Sequence, residues 1–181
     1  MLETARLIVR DWQPDDWLNL RTLATDPRVL RYIGNGDPWP DERIQHFVNS
    51  GIEKSKTRGW IIWPLHHKLD NRFIGFCGFN DAFLPEVEIG WWLLPEYWGQ
   101  DLATEAAAAI LQHGFQTHHF PSVISVTQPE NTASIRVMEK LGMQKDRNFI
   151  HNGHSVVAYK ISNPEITATP TAPPFYACLN P

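Results

Sequence analysis

Glu88-Ile-Gly-Trp-Trp-Leu-Leu-Pro-Glu-Tyr-Trp-Gly-Gln-Asp-Leu-Ala-Thr-Glu105 is the stretch whose reading decides the fold. Trp91-Trp92-Leu93-Leu94 is apolar on both faces, as expected of a central strand. Pro95 and Gly99 break that run, and Ala103, Ala107, Ile110, Leu111 and Phe115 then mark one face of an alanine-rich helix. A buried strand thus enters a tight turn and leaves as a helix. The first N–H groups of such a helix have no carbonyl behind them, and its dipole adds positive potential. The turn is therefore a suitable seat for a phosphate.

Outward from this stretch the pattern stays regular. Upstream, Leu7-Ile8-Val9 reads as a first strand. Pro14-Asp15-Asp16 opens a helix to about Ala24, and Pro40-Asp41-Glu42 opens a second, with Ile44, Phe47, Val48 and Ile52 on one face, to about Lys56. Strands are expected over Trp60–Leu65, Arg72–Phe79 and Val87–Leu94, with Gly75 and Gly78 leaving room for close approach or a bulge and Asp81–Glu86 turning between the last two. Downstream, Val123–Thr127 is a fifth strand, and Asn131 opens a helix whose Ala133, Val137, Met138 and Leu141 form an apolar stripe closed by Gly142. Strands around Arg147–His151 and Ser155–Ile161 turn at Asn152-Gly153. The order β-α-α-β-β-β-α-β-α-β-β predicts an α/β (α+β) domain: one mixed, mainly antiparallel sheet of about seven strands flanked by about four helices.

Composition excludes several classes. Of 181 residues 43% are hydrophobic and 20% charged, too apolar for general disorder. Lys plus Arg number 16 against 20 Asp plus Glu, so there is no basic footprint for nucleic acid. The net charge of −4 mildly favours a basic small partner, although long-range charge is a weak guide. No apolar run approaches the roughly 18 residues that span a bilayer, and the amino terminus lacks a signal peptide's apolar centre. A cytoplasmic protein with no membrane partner is expected. Cys77 and Cys178 fit no metal or redox spacing, so no metal site is expected. Five of the 14 prolines (Pro164, Pro170, Pro173, Pro174, Pro181) fall at the end of the chain. This divides the chain into a domain over 1–163 and a proline-rich tail over 164–181, with Phe175-Tyr-Ala-Cys-Leu179 as the tail's apolar patch.

Four segments together carry a family likeness: Thr4-Ala-Arg-Leu-Ile-Val-Arg10, Glu88-Ile-Gly-Trp-Trp-Leu93, Trp98-Gly-Gln-Asp-Leu-Ala-Thr-Glu-Ala106 and Asn131-Thr-Ala-Ser-Ile-Arg-Val-Met-Glu-Lys-Leu-Gly142. In this order they resemble the GNAT N-acetyltransferase superfamily, within it the branch of the ribosomal-protein N-terminal acetyltransferases, over about residues 3–161. The resemblance implies an acetyl-CoA-dependent N-acetyltransferase, monomer or homodimer, that moves an acetyl group directly to a primary amine. That amine would belong to a protein N-terminus or a small molecule. It implies a cleft where the fourth and fifth strands splay. There the main chain of Leu93 and Leu94 would pair with pantetheine, and N–H groups of Gly99, Gln100, Asp101, Leu102, Ala103 and Thr104 would cradle the pyrophosphate. Asn131 would hold pantetheine and Ser134 would face the thioester sulfur.

Amine attack on a thioester needs a neutral amine, a polarised carbonyl and a proton for the thiolate. Many superfamily members carry a tyrosine four residues after the serine; Met138 stands there, which shifts the acid role to Ser134. Glu88 is the first candidate for the base, with Glu86, His151 and His154 behind it. Structural roles compete: Asn131 suits a helix N-cap, Gly99 a turn, and Glu88 a solvated strand position. Both the His66-His67 and His118-His119 pairs read as surface. Trp39, Trp60 and Trp63 suit an acceptor pocket or core packing. Asp101 stands where the motif expects glycine or alanine. Either it caps the helix by accepting from Ala103 or Thr104, or it faces the phosphate, at about 4 kcal/mol of repulsion per charge pair at about 4 Å and an effective dielectric near 20. The second case implies a GNAT-fold acyl-CoA-binding or interaction module with weak or no turnover.

Overall fold

Alternating and continuous apolar runs place the strands, and the computed structural model, which describes residues 2–164, joins them in one sheet. The strands are β1 (Leu2–Glu3), β2 (Leu7–Val9), β3 (Ile62–His67), β4 (Phe73–Phe83), β5 (Glu86–Leu93), β6 (Ser122–Thr127), β7 (Gln144–His151) and β8 (His154–Ser162). The helices are α1 (Asp16–Ala24), α2 (Pro27–Leu30), α3 (Asp41–Arg58), α4 (Leu102–Thr117) and α5 (Thr132–Lys140). The eight strands lie in the order β1-β2-β3-β4-β5-β6-β8-β7. The short β1 and the single-turn α2 are additional to the expected elements; both are too brief for periodicity to reveal. The apolar patch expected at 175–179, Cys178 and the tail from residue 165 onward lie outside the described residues.

All neighbouring strands are antiparallel except β5 and β6. That parallel pair meets only at Val87↔Val123 and Glu88↔Ile124. Beyond it β5 continues along β4 to the Gly75↔Leu93 pairing, whereas β6 continues along β8 to Thr127↔Val157. This is the expected splay of the notional fourth and fifth strands, here β5 and β6. The β4–β5 hairpin is longer and tighter than the expected six-residue turn: Phe83 pairs with Glu86, leaving only Leu84 and Pro85 between the strands. That extension brings Asn80 opposite Glu88. Gly75 answers to close approach. At its φ of +147°, an added Cβ would lie 2.1 Å from the Trp92 carbonyl oxygen.

Both faces of the sheet are covered. Ile44 and Val48 of α3 and Leu20 and Leu23 of α1 are fully buried. On the α3 side, Phe47 lies 5.7 Å from the Phe76 ring. On the other face Ala106, Ala107 and Ile110 of α4 are buried, and at Gly114 an added Cβ would meet the Phe79 ring at 2.4 Å. The small residues of α4 thus set how closely it lies on the sheet. Among the described residues no helix is long and apolar enough to cross a membrane.

His66 departs from its expected place at the surface: it is 6% exposed. The β2–β3 pairing brings Ile8 opposite His66, and Arg10 hydrogen-bonds its Nε2 at 2.8 Å while Nδ1 meets the Asn71 carbonyl at 3.1 Å. Nε2 therefore accepts and Nδ1–H donates, so the ring is neutral, and burial holds its pKa down. Arg10 also forks onto buried Asp16, at 2.7 and 2.8 Å. Burial raises the Asp16 carboxyl, but the Arg10 guanidinium and the Gln13 N–H outweigh it, so its pKa lies below 3.8. An Asp with a depressed folded pKa contributes stability above its unfolded pKa and loses it as pH falls through the folded value. Asp16→Asn is expected to cost about 3 kcal/mol in urea unfolding at pH 7. The gap to the unmodified protein should narrow only as pH falls below 3.8.

Candidate active site

The point where β5 and β6 part becomes the floor of a cleft. Side chains alternate along a strand, so Glu88, Gly90 and Trp92 share one face of β5. Glu88 lies at the last paired position before the fork. Burial pushes its carboxyl up to about 7, against the pull of hydrogen bonds from the Asn80 side chain and the Val126 main chain. The solvated-strand reading of Glu88 is thereby corrected. The alternative bases are differently placed. Glu86 is ion-paired to Arg147 and to Lys160, and the Arg147 hydrogen bond, the largest influence, holds its carboxyl low. His151 packs 4.8 Å from the Phe83 ring, and His154 meets the Asn35 carboxamide at 3.3 Å.

At the end of β5, Pro95–Tyr97 forms a single 3-10 turn and the chain enters α4 through two left-handed residues, Gly99 at φ +71° and Asp101 at φ +60°. Gly99 accepts that conformation without strain; Asp tolerates it better than most side chains. The expected N-cap role of Asp101 is not adopted: its side chain caps no N–H and instead meets Lys140 at 2.5 Å, a hydrogen bond that lowers its pKa. The left-handed backbone swings the carboxylate outward, toward α5. The N–H groups of Leu102, Ala103 and Thr104 precede the first helical hydrogen bond, which Glu105 makes to the Asp101 carbonyl at 3.0 Å. Thr104 Oγ1, beside them, is buried with no hydrogen-bond partner among the described residues. A buried hydroxyl and a row of unspent N–H groups match a phosphate ligand.

The loop is clamped from behind. Glu105 accepts from Thr4 Oγ1 at 2.5 Å, from the Arg6 N–H at 2.8 Å and from Arg6 Nε at 2.7 Å. Burial raises the Glu105 carboxyl, but these donors outweigh it. Arg6 also donates to the Gln100 carbonyl at 2.9 Å, and Gln100 Nε2 donates to the Glu96 carbonyl at 2.9 Å. Two of the four sequence segments, one near the amino terminus and one at 98–106, are thus halves of one contact.

On α5, Asn131 does act as N-cap, accepting from the Ser134 N–H at 3.2 Å, and its amide donates to Thr127 Oγ1 at 3.1 Å. Ser134 lines the cleft, whereas Met138 is fully buried in the core. One main-chain expectation needs correction. The Leu94 N–H is already spent on the Ile74 carbonyl at 2.8 Å and therefore points to β4. By alternation the main chains of Trp91 and Leu93 face the fork. The Leu93 carbonyl accepts the Trp98 indole N–H at 2.8 Å.

The cleft measures about 1010 Å³ and is lined by the α4 N-terminus, by Ser134 and Glu88, and by the aromatic side chains of Trp39, Phe76 and Trp92. Trp39 lines it, but Trp63 is buried against Phe79, 6.3 Å away, and Trp60 packs on Phe120 at 5.6 Å. His118 is half-buried with its Nε2 enclosed, not fully at the surface; His119 is exposed. Sequence reading missed Asn80, Thr104's hydroxyl as an orphan, Trp92, Arg136 and Lys140. Asn80 was legible only through the hairpin register, and the α5 cations only through helix phase.

Known proteins place the chain. Residues 6–144 match the family described as "Acetyltransferase (GNAT) domain", so the chain belongs to the GNAT acetyltransferase family and is an acetyltransferase. The uncharacterized N-acetyltransferase YnaD of Bacillus subtilis is 34% identical over 149 residues, covering 82% of this chain and 85% of that one. A GNAT-family acetyltransferase structure from Bacillus anthracis superposes with a TM-score of 0.76 at 32% identity, over 90% of this chain and 98% of that one. The fold is also that of RimL, a ribosomal L7/L12 alpha-N-protein acetyltransferase solved with coenzyme A: TM-score 0.74 at 18% identity, over 88% and 95% of the two chains.

Because three donors converge on Glu105, Glu105→Gln is expected to lower unfolding stability by about 1–2 kcal/mol. Urea titration checks this, and a loss within about 0.5 kcal/mol, as at an ordinary surface site, would dismiss the clamp.

Proposed function

We propose that the protein transfers the acetyl group of acetyl-CoA to a primary amine within a ternary complex. The observation that carries this reading is the coincidence, in one cleft, of an unspent phosphate seat at α4 and the Glu88 carboxyl at the β5–β6 fork. Acetyl-CoA would place its pyrophosphate on the N–H groups of Gly99, Gln100 and Leu102–Thr104 with the Thr104 hydroxyl. The main chain of Trp91 and Leu93 and the Asn131 side chain would take pantetheine. The thioester supplies an activated acyl group. Arg136 lines the same cleft and adds positive potential toward the phosphates, while Lys140 neutralises Asp101 there.

A carboxyl near 7 is well matched to removing a proton at neutral pH, since base strength and the ionised fraction are balanced there. The amine nitrogen forms its bond to the acetyl carbon, the carbon–sulfur bond breaks, and the nitrogen's proton passes to Glu88, directly or through water. Ser134 is the donor toward the departing sulfur, and solvent restores its proton. Orientation in the cleft supplies several kcal/mol besides. The rival reading, an acyl-CoA-binding or interaction module with weak or no turnover, rested on Asp101 and the uncharged tail; the pairing of Asp101 with Lys140 favours the enzyme reading over it.

Incubation with acetyl-CoA and a panel of amines, following thiol release, tests the reading; no thiol release with any amine and no acetyl-CoA binding by calorimetry would overturn it. The kcat/KM is expected to rise with pH through about 7 as Glu88 ionises. Glu88→Gln should lower kcat by about 100-fold or more and flatten that limb. Calorimetry on Asp101→Gly, Lys140→Ala and the double variant gives a second check. Lys140→Ala should weaken acetyl-CoA binding by about 10-fold by freeing the Asp101 charge, and Asp101→Gly should restore most of that loss.

A further inference from the structure

The acceptor end of the cleft has a definite shape and sign. Glu88, Gly90 and Trp92 stand at i, i+2 and i+4 on β5, a span of roughly 13 Å along the strand. At Gly90 a side chain would project into open space, since an added Cβ meets no atom within 4 Å. The missing side chain therefore leaves a slot between a carboxylate and an indole. The far wall is packed: Trp92 lies 5.0 Å from Phe76 and 5.1 Å from Trp39, and Trp39 lies 5.7 Å from Phe47. Such a wall takes a flat apolar body.

The charges at this end are not those a polyamine needs. The acidic residues lining the cleft are Glu88 and Asp101, and Asp101 is paired to Lys140 beside the α4 N-terminus. Arg28 of α2 and Arg31 at its C-terminal end also line the cleft. Arg28 is held by Asp26 at 2.6 Å. Arg31 is exposed, with its guanidinium 5.3 Å from the Tyr32 ring and no ion pair among the described residues. An aromatic wall can itself hold an ammonium group, but the Arg43 guanidinium already lies 3.9 Å from the Trp39 ring. A second ammonium would meet like charge; an anion would meet an unspent donor fork.

We infer that the acceptor is a primary amine on a flat aromatic body bearing a carboxylate or phosphate remote from the amine, with Gly90 giving the body its space and Arg31 taking the anion. This rests on the acetyl transfer proposed above. The amine end reaches Glu88, the ring lies over Gly90 against Trp92, and the anionic end faces α2.

The test compares 4-(aminomethyl)benzoate, benzylamine and spermidine as acceptors by thiol release. The benzoate should exceed both others in kcat/KM by about 10-fold or more, the worth of one charge-assisted hydrogen bond. Arg31→Gln should bring the benzoate-to-benzylamine ratio close to one. Gly90→Val should raise the benzoate KM by about 10-fold, while calorimetry shows acetyl-CoA affinity within about 3-fold of the unmodified protein. Spermidine as the best acceptor, an unchanged ratio in Arg31→Gln, or an unchanged KM in Gly90→Val overturns the inference. If acetyl-CoA binds and only other amines turn over, the acceptor class fails while acetyl transfer stands. Failure of both binding and transfer removes the proposed function itself.

Discussion

The parting of β5 from β6 is the constraint on which the rest depends. Two strands that would otherwise zip together pair only at Val87↔Val123 and Glu88↔Ile124, and each then follows a different neighbour. The unpaired main-chain groups of β5 beyond Glu88 must face a partner outside the sheet, because buried peptide groups left without one are costly. The opening also lets α4 begin at the mouth of the gap, so free helix N–H groups and free strand groups converge on one ligand path.

Holding that convergence requires anchors from remote sequence. The turn into α4 contains two left-handed residues, and its local Gln100–Glu96 hydrogen bond does not reach the helix itself. Thr4 and Arg6 anchor it by gripping Glu105 and the Gln100 carbonyl from the turn between β1 and β2. On the other face the small residues of α4 allow close seating on the sheet, and Gly114 makes room for Phe79. Asp101 illustrates how such a turn can admit a carboxylate beside the free N–H groups of a helix start: the side chain caps none of them and meets Lys140.

Most of the architecture was legible because long apolar periodicities survive any tertiary context. The strand–turn–helix at 88–105 and the order of the expected elements read correctly from spacing, whereas of the α5 stripe only Met138 is buried and Ala133 is exposed. Errors came where a side chain's environment is set across the sheet. His66 looked like one of a surface pair, yet antiparallel pairing with β2 buries it beside Arg10. Asn80 lay beyond the expected strand end, and only the tight Phe83↔Glu86 closure carries it to Glu88. Leu94 was assigned to the cleft, but a shift of one residue reverses which edge a main-chain group faces.

The sequence by itself determined the family and the order of the main elements. Those follow from local spacing and from motifs whose residues are neighbours in the chain. Tertiary structure alone decided that burial pushes Glu88 up to about 7, that Asp101 points to Lys140, and that Gly90 leaves open space beside Trp92 on the cleft. The reason is physical: burial, charge pairing and empty space are properties of what surrounds a residue, and those surroundings come from segments far away in the chain.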